Sequence, residues 1–231
     1  MPAPVIVFDL DDTLYSERQF AVSGFRACEQ WLVDRHGPTA AGIVPEMLHL
    51  LDSGHMRALF EISLRSRVPT ADDKQIEDFI DVYREHAPDI TLYPDAAWAL
   101  DHFGRQGPLG LITDGQVEVQ SSKVRALGIE PHFAHIVYTS GLGGRGFAKP
   151  HPLAFERMET ALCAAGGGTG PFVYVGDNPA KDFLVPNARG WISVQILKPF
   201  RIHARSTPID GGQPQHVIEA LTQLPALLAG R

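Results

Sequence analysis

Hydrophobic positions in this chain fall into two regimes. Val5–Phe8 is a continuous β-branched and aromatic run, as expected of a strand buried on both faces of a parallel sheet. Residues 109–112, 134–138, 172–175 and 191–197 are short, largely apolar stretches that read as further strands. Between them lie stretches of helical spacing. One starts at Pro94 and Asp95 and runs to about Gly104, with Ala97, Leu100 and Phe103 as its inner face. Others cover 117–127, closed by Gly128, then 153–165 and, more briefly, 179–188. Residues 198–214 are polar and read as loop, and 217–228 read as a closing helix. Alternation of strands and helices with short connections predicts an α/β fold: a parallel sheet with right-handed crossovers and helices on both faces.

The stretch between the first and second strands breaks this rhythm. Phe20, Phe25, Cys28, Trp31 and Leu32 recur at helical spacing until Gly37 and Pro38, and Pro45 opens a second helix. A third segment, 56–64, continues in the same style, and Pro69 and Thr70 end it. Residues 71–86 place Ile76, Phe79, Ile80 and Tyr83 on one face. The expected organisation is an α/β core from residues 1–16 and 89–231, with an all-helical block, 17–88, inserted directly after the first strand. No repeat of fixed period is visible.

Chemistry-bearing residues collect where the strands end. Asp9, Asp11 and Asp12 place three carboxylates within four residues of the first strand, and Thr13 follows. The second strand runs into Thr113, Asp114 and Gly115. The third leads through a glycine-rich loop, 141–146, to Lys149, and the fourth ends at Asp177 and Asn178 with Asp182 close behind. Parallel crossovers bring such ends to one edge of the sheet, where open α/β sheets bind ligands. Three neighbouring carboxylates repel one another, and a divalent cation with its preference for oxygen ligands is the natural counter-charge. A lone acidic turn of this kind is more often a helix cap; four converging strand ends are far more specific.

Composition narrows the partners. A formal charge of -7 over 231 residues leaves no broad basic surface for nucleic acid. Two cysteines, Cys28 and Cys163, form neither a disulfide framework nor a CxxC pair, and the ten histidines contain no HxxxH or HExxH spacing. A buried-type strand begins by residue 5, so no signal peptide is expected, and no apolar run reaches membrane-span length. The expectation is a soluble cytoplasmic protein. Gly141, Gly143 and Gly146 match a dinucleotide fingerprint as a string, but they lack the strand–helix unit that gives it meaning and read as a loop delivering Lys149.

The segments FDLDDTL (8–14), LITDG (111–115), KP (149–150) and GDNPAKD (176–182), in this order, resemble the haloacid dehalogenase superfamily of phosphotransferases and hydrolases. That resemblance covers nearly the whole chain and implies a Rossmann-like core with a helical cap, here 17–88. It assigns Asp9 as the nucleophile that forms an aspartyl-phosphate and Asp11 as general acid and base. Magnesium would be held by Asp9, the backbone carbonyl of Asp11, and Asp177. Thr113, the amide of Asp114, and Lys149 would hold the phosphoryl group. Asp182 is expected as a metal-shell ligand or as an anchor for Lys149, Asn178 as a helix cap or part of the metal's surroundings, Asp12 as structural and Lys181 as solvent-facing.

Dehalogenases of the family lack the aspartate two residues after the nucleophile, and the phosphonate-cleaving branch lacks it as well; Asp11 therefore favours a phosphatase. The imine-forming lysine of the latter branch has no counterpart beyond Lys74, which sits in a polar run. A phosphomutase would use the same residues. A non-catalytic binding protein would be expected to lose one of Asp9, Asp11, Lys149 or Asp177, and all four are present. The expected substrate is a small phosphorylated metabolite (a sugar phosphate, nucleotide or phospho-acid), with Tyr15, Arg18, Arg57, Arg65 and Arg67 as candidate contacts, each also explicable as a surface or ion-paired residue.

Overall fold

The computed structural model describes residues 3–55, 58–167 and 170–229. The chain divides into two compact units: one through Glu17 and again from Thr91 onward, the other Arg18–Ile90.

The first unit is built on six parallel strands: β1 (Val5–Phe8), β2 (Leu109–Thr113), β3 (Phe133–Tyr138), β4 (Phe172–Gly176), β5 (Ile192–Ile196) and β6 (His216–Ile218). Their order across the sheet is β3-β2-β1-β4-β5-β6, the doubly wound arrangement. The direction of winding reverses between β1 and β4, and the crevice outside their carboxyl ends is where such sheets bind ligands. All four residues of β1 are buried, which accounts for its unbroken apolar run. Helix α5 (Pro94–Gly104) precedes β2, α6 (Val117–Ala126) follows it, and α7 (Leu153–Ala164) leads to β4. Phe155, Met158 and Leu162 of α7 are fully buried in one cluster with Val7, Ile112 and Tyr174. Gly110 of β2 makes room for them, since a Cβ there would collide with the Met158 sulfur.

Two elements depart from the sequence expectation. Residues 216–218 form a sixth strand, paired in parallel with β5 through Val194↔His216 and Ile196↔Ile218, and the closing helix shrinks to α9, Leu224–Ala229. A three-residue edge strand carries too little periodicity to register, and its neighbouring leucines imitate a longer helix. Likewise the helix expected over 179–188 is only α8, Leu184–Ala188. Side chains draw the preceding residues into a turn: Ala180 N donates to Asn178 Oδ1 (3.1 Å) and Asn178 N to Asp182 Oδ2 (2.8 Å).

The second unit is all-helical, comprising most of α1 (Glu17–His36), then α2 (Val44–Asp52), α3 (Leu59–Arg67) and α4 (Asp73–Glu85). Its interior is aromatic: Tyr83 meets Phe20, Phe25 and Phe60 at centroid distances of 5.5, 5.7 and 4.9 Å, and Phe79 meets Trp31 and Phe60. Asp72 and Gln75 form a reciprocal capping box at the start of α4. Among the described residues, no helix is long and apolar enough to cross a membrane.

Phe155 is the main brace beneath the sheet, packing edge-on against Tyr174 at 5.2 Å and Trp191 at 5.8 Å. Replacing it with alanine is expected to cost about 3–5 kcal/mol, read as a lowered urea midpoint with little change in slope.

Candidate active site

The carboxyl ends of β1, β2 and β4, with the loop after β3, meet at one cluster of charge. Asp9 leaves β1 with its amide bonded to Val175 O of β4 at 2.8 Å, which continues the pairing of the two strands into the site. Lys149 arrives from the glycine-rich connection, where Gly143 and Gly144 take positive φ values of 141° and 99° that suit glycine. Its side chain is fully buried. The ammonium donates to Asp9 Oδ1 (2.7 Å) and Tyr174 Oη (2.9 Å) and is ion-paired with Asp182 Oδ1 at 2.8 Å. Burial alone would lower the Lys149 pKa, but the charges of Asp182, Asp9 and Asp114 outweigh it and raise it, so the cation persists.

Asp9 shows the opposite balance. Burial dominates and lifts its pKa to about 6, with Lys149 pulling downward and Asp182 adding to the rise. Asp177, at the end of β4, is pushed to about 9 by burial and then by Asp182, Asp9 and Asp12. Its backbone carbonyl accepts from Gln195 Nε2 (2.9 Å) and Arg201 Nη1 (3.0 Å). Its Oδ2, although buried, has no hydrogen-bond partner among the described residues. Carboxylate oxygens of Asp9, Asp177 and Asp182 lie within 4.8 Å of one another. An orphaned buried carboxylate oxygen in an all-oxygen cluster fits a hard divalent cation, and magnesium meets that description. Both oxygens of Asp182 are engaged, one by Lys149 and one by the Asn178 amide, the geometry of an anchor for the lysine. Asn178 closes its turn rather than capping a helix, because α8 starts only at Leu184.

Asp11 faces elsewhere. Its Oδ1 accepts from Tyr15 Oη (2.5 Å) and Lys123 Nζ (2.8 Å), and its Oδ2 from Gln120 Nε2 (2.8 Å). Burial works to raise its pKa, yet Lys123 and these hydrogen bonds together hold it below the ordinary value. Its carboxylate is thus outside the three-aspartate cluster. Asp12, between the two, takes a left-handed φ of 53° and accepts from the amides of Glu17 (2.9 Å) and Ile202 (2.8 Å), tying down the chain on either side of the site.

Thr113 is buried at the end of β2, and its Oγ1 accepts from Gln120 Nε2 at 2.5 Å. Asp114 accepts from Thr139 Oγ1 (2.8 Å) and the Lys149 amide (3.0 Å), and its other oxygen pairs with Lys181 Nζ at 3.1 Å. The expectation that Lys181 faces solvent is thereby corrected: its side chain is only 27% exposed, and its charge reaches Asp9 and Asp182 as well as Asp114. Of the candidate contacts from the sequence, Tyr15 is buried on Asp11, while Arg18, Arg65 and Arg67 pair with Asp52, Glu61 and Glu46. Arg57 lies outside the described residues.

Tyr174, Gln120, Lys123 and Lys181 are the site residues that sequence reasoning missed. Tyr174 hides within an apolar strand, where a tyrosine reads as core. Gln120 and Lys123 had one usable signal: they stand three apart on α6, on the face that should be apolar.

A family model described as "haloacid dehalogenase-like hydrolase" matches residues 3–185. Glyceraldehyde 3-phosphate phosphatase of Methanocaldococcus jannaschii is 30% identical over 201 residues, 84% of each chain. Phosphoglycolate phosphatase of Mesorhizobium japonicum is 26% identical over 189 residues, 77% of this chain and 76% of that one. Among solved structures, a HAD-hydrolase of Bacillus subtilis bound to magnesium superposes with a TM-score of 0.64 at 18% identity, covering 99% of this chain and 100% of that one.

Asp114 offers a clean test of these electrostatics. Although burial opposes ionisation, Lys149, Lys181 and its hydrogen bonds lower its pKa from 3.8 to about 2. Because the folded value is depressed, the stabilisation is complete above the unfolded pKa and disappears as pH falls through the folded one. Asp114→Asn is expected to cost about 2 kcal/mol at pH 7, roughly halved by pH 3, in urea unfolding series.

Proposed function

Because this chain belongs to the haloacid dehalogenase-like hydrolase family, we propose that it is a magnesium-dependent phosphomonoester hydrolase acting on small phosphorylated metabolites. The observation that carries this reading is the buried Lys149 ammonium shared by Asp9 and Asp182, beside the orphaned carboxylate oxygen of Asp177. A carboxylate nucleophile, a fixed cation and a place for a divalent ion are what anionic phosphoryl transfer requires.

In this mechanism Asp9 attacks the phosphorus, its oxygen forming a bond to phosphorus as the ester P–O bond breaks. Asp11 takes up a proton when the anionic substrate binds beside it and passes that proton to the leaving alkoxide. In the second half a water attacks the aspartyl-phosphate, Asp11 accepts its proton, and the bond between Asp9 and phosphorus breaks to release inorganic phosphate. Lys149 keeps Asp9 oriented and offsets the charge that accumulates between carboxylate and phosphoryl oxygens. The Thr113 hydroxyl accepts from Gln120, which leaves its own hydrogen to donate to a phosphoryl oxygen, and the Asp114 amide is the assigned second donor. Asp9, Asp177 and the backbone carbonyl of Asp11 are the assigned holders of magnesium, with Asp182 and Asn178 behind them. Bound there, the ion would offset the carboxylate charge and polarise the phosphoryl group.

The α/β unit takes the role of catalytic core, and the helical unit Arg18–Ile90 that of a cap selecting the substrate. The relatives' names, glyceraldehyde 3-phosphate phosphatase and phosphoglycolate phosphatase, support two- and three-carbon phosphate esters as the substrate class.

Phosphate release from a panel of sugar phosphates, nucleotides and phospho-acids tests the reading. Turnover is expected with magnesium, to fall to background with EDTA, and to drop at least about 1000-fold in Asp9→Asn. Turnover that survives in Asp9→Asn would overturn the proposed nucleophile. Separately, Asp177→Asn is expected to weaken magnesium binding at least about tenfold in titration calorimetry, and unchanged affinity would remove Asp177 from the ion's site.

A further inference from the structure

Helix α6 is built the wrong way round for a core helix. Its buried residues are Gln120, Lys123 and Val124, so two of the three are polar, and one is a lysine whose side chain is 5% exposed. Burying an amide and an ammonium costs free energy unless both are hydrogen-bonded. Here both end on Asp11. Lys123 Nζ lies 2.8 Å from Oδ1 and Gln120 Nε2 lies 2.8 Å from Oδ2, while Tyr15 Oη reaches Oδ1 at 2.5 Å.

With donors on each oxygen, the Asp11 carboxylate cannot rotate without breaking a bond. The same Gln120 nitrogen reaches Thr113 Oγ1 at 2.5 Å, so one amide sets the distance between Asp11 and the hydroxyl assigned to the phosphoryl group. The backbone accommodates this. Gly115 has φ +131°, and a Cβ there would stand 3.1 Å from the Gln120 Cγ and Cδ atoms. The glycine that follows Thr113 and Asp114 thus leaves the space through which the amide reaches its two partners.

We propose that Gln120 and Lys123 are positioning residues that fix the Asp11 carboxylate as the base for the second half of the reaction, with Gln120 also coupling its placement to Thr113. This rests on the phosphomonoester hydrolase reading, and it adds which residues hold Asp11 in place for that step. The step is the attack of water on the aspartyl-phosphate: Asp11 accepts a proton from the water as the new bond to phosphorus forms and the bond from Asp9 to phosphorus breaks. A nitrophenyl ester phosphorylates Asp9 without needing a proton for its leaving group, so it isolates this second step.

Burst kinetics therefore separate positioning from bulk structure. Nitrophenol release and phosphorylated enzyme would be followed on mixing with a nitrophenyl monoester and magnesium. Lys123→Met is expected to lower steady-state turnover at least about 30-fold, while nitrophenol still appears in a burst and phosphorylated enzyme accumulates above the wild-type level. Lys123→Arg should restore most of the turnover. Gln120→Ala, which also releases Thr113, is expected to slow the burst as well as turnover. A Lys123→Met protein that loses turnover without accumulating phosphorylated enzyme would overturn the positioning role while leaving the hydrolase reading intact, and so would unchanged turnover. If Lys123→Met fails to fold by circular dichroism, Lys123→Gln takes its place with the same outcomes. A wild-type protein that cleaves no monoester would overturn the hydrolase reading and this proposal together.

Discussion

A single buried ammonium organises this structure. The Lys149 side chain is fully buried, and its ammonium meets oxygen atoms from three different segments, two through hydrogen bonds and one through an ion pair. Its removal leaves the carboxylates of Asp9 and Asp182 buried without their shared counter-charge, a loss on the order of 3–5 kcal/mol. The arrangement is possible only because β1 and β4 are neighbours, placing Asp9 next to Tyr174 and the turn that carries Asp182. Sheet order and the charge of the candidate site are thus one constraint seen at two scales.

Around that cation the chain keeps its acidic residues apart. Asp9, Asp177 and Asp182 share the side of β4 with Lys149, while Asp11 turns toward α6 and receives Lys123, Gln120 and Tyr15. Two residues of separation would leave Asp9 and Asp11 repelling strongly if both lay in one low-dielectric pocket. Each is instead given its own lysine, and the opposite pKa directions follow: Asp9 raised by burial, Asp11 lowered by its three donors. Asp12, in its left-handed conformation, marks where the backbone turns between the two environments.

Much of this was readable along the chain because it depends on local pattern. Apolar runs mark buried strands wherever both faces are covered, and β1, β2 and β4 are such strands. Asp9 and Asp177 stand just past strand ends and Thr113 closes one, while Lys149 is reached through the glycine-rich loop after β3. Edge strand β6 was lost for the converse reason, since with one flank open it needs no unbroken apolar run. Residues 178–182 form a turn where the sequence predicts helix, because side-chain acceptors capture the amides of Asn178 and Ala180.

The sequence by itself determined the α/β class, the all-helical character of the segment after the first strand, and the four clusters that carry the chemistry. Periodicity and spacing are properties of neighbours along the chain, and they survive without knowledge of the fold. Only tertiary structure decided which charge meets which: that Tyr174 is a partner of Lys149 rather than plain core, that Lys181 belongs to Asp114, and that Gln120 and Lys123 face Asp11 across more than a hundred residues of sequence. Those pairings arise from strand order and helix docking, where energies depend on distances of a few ångströms between segments that the sequence lists far apart.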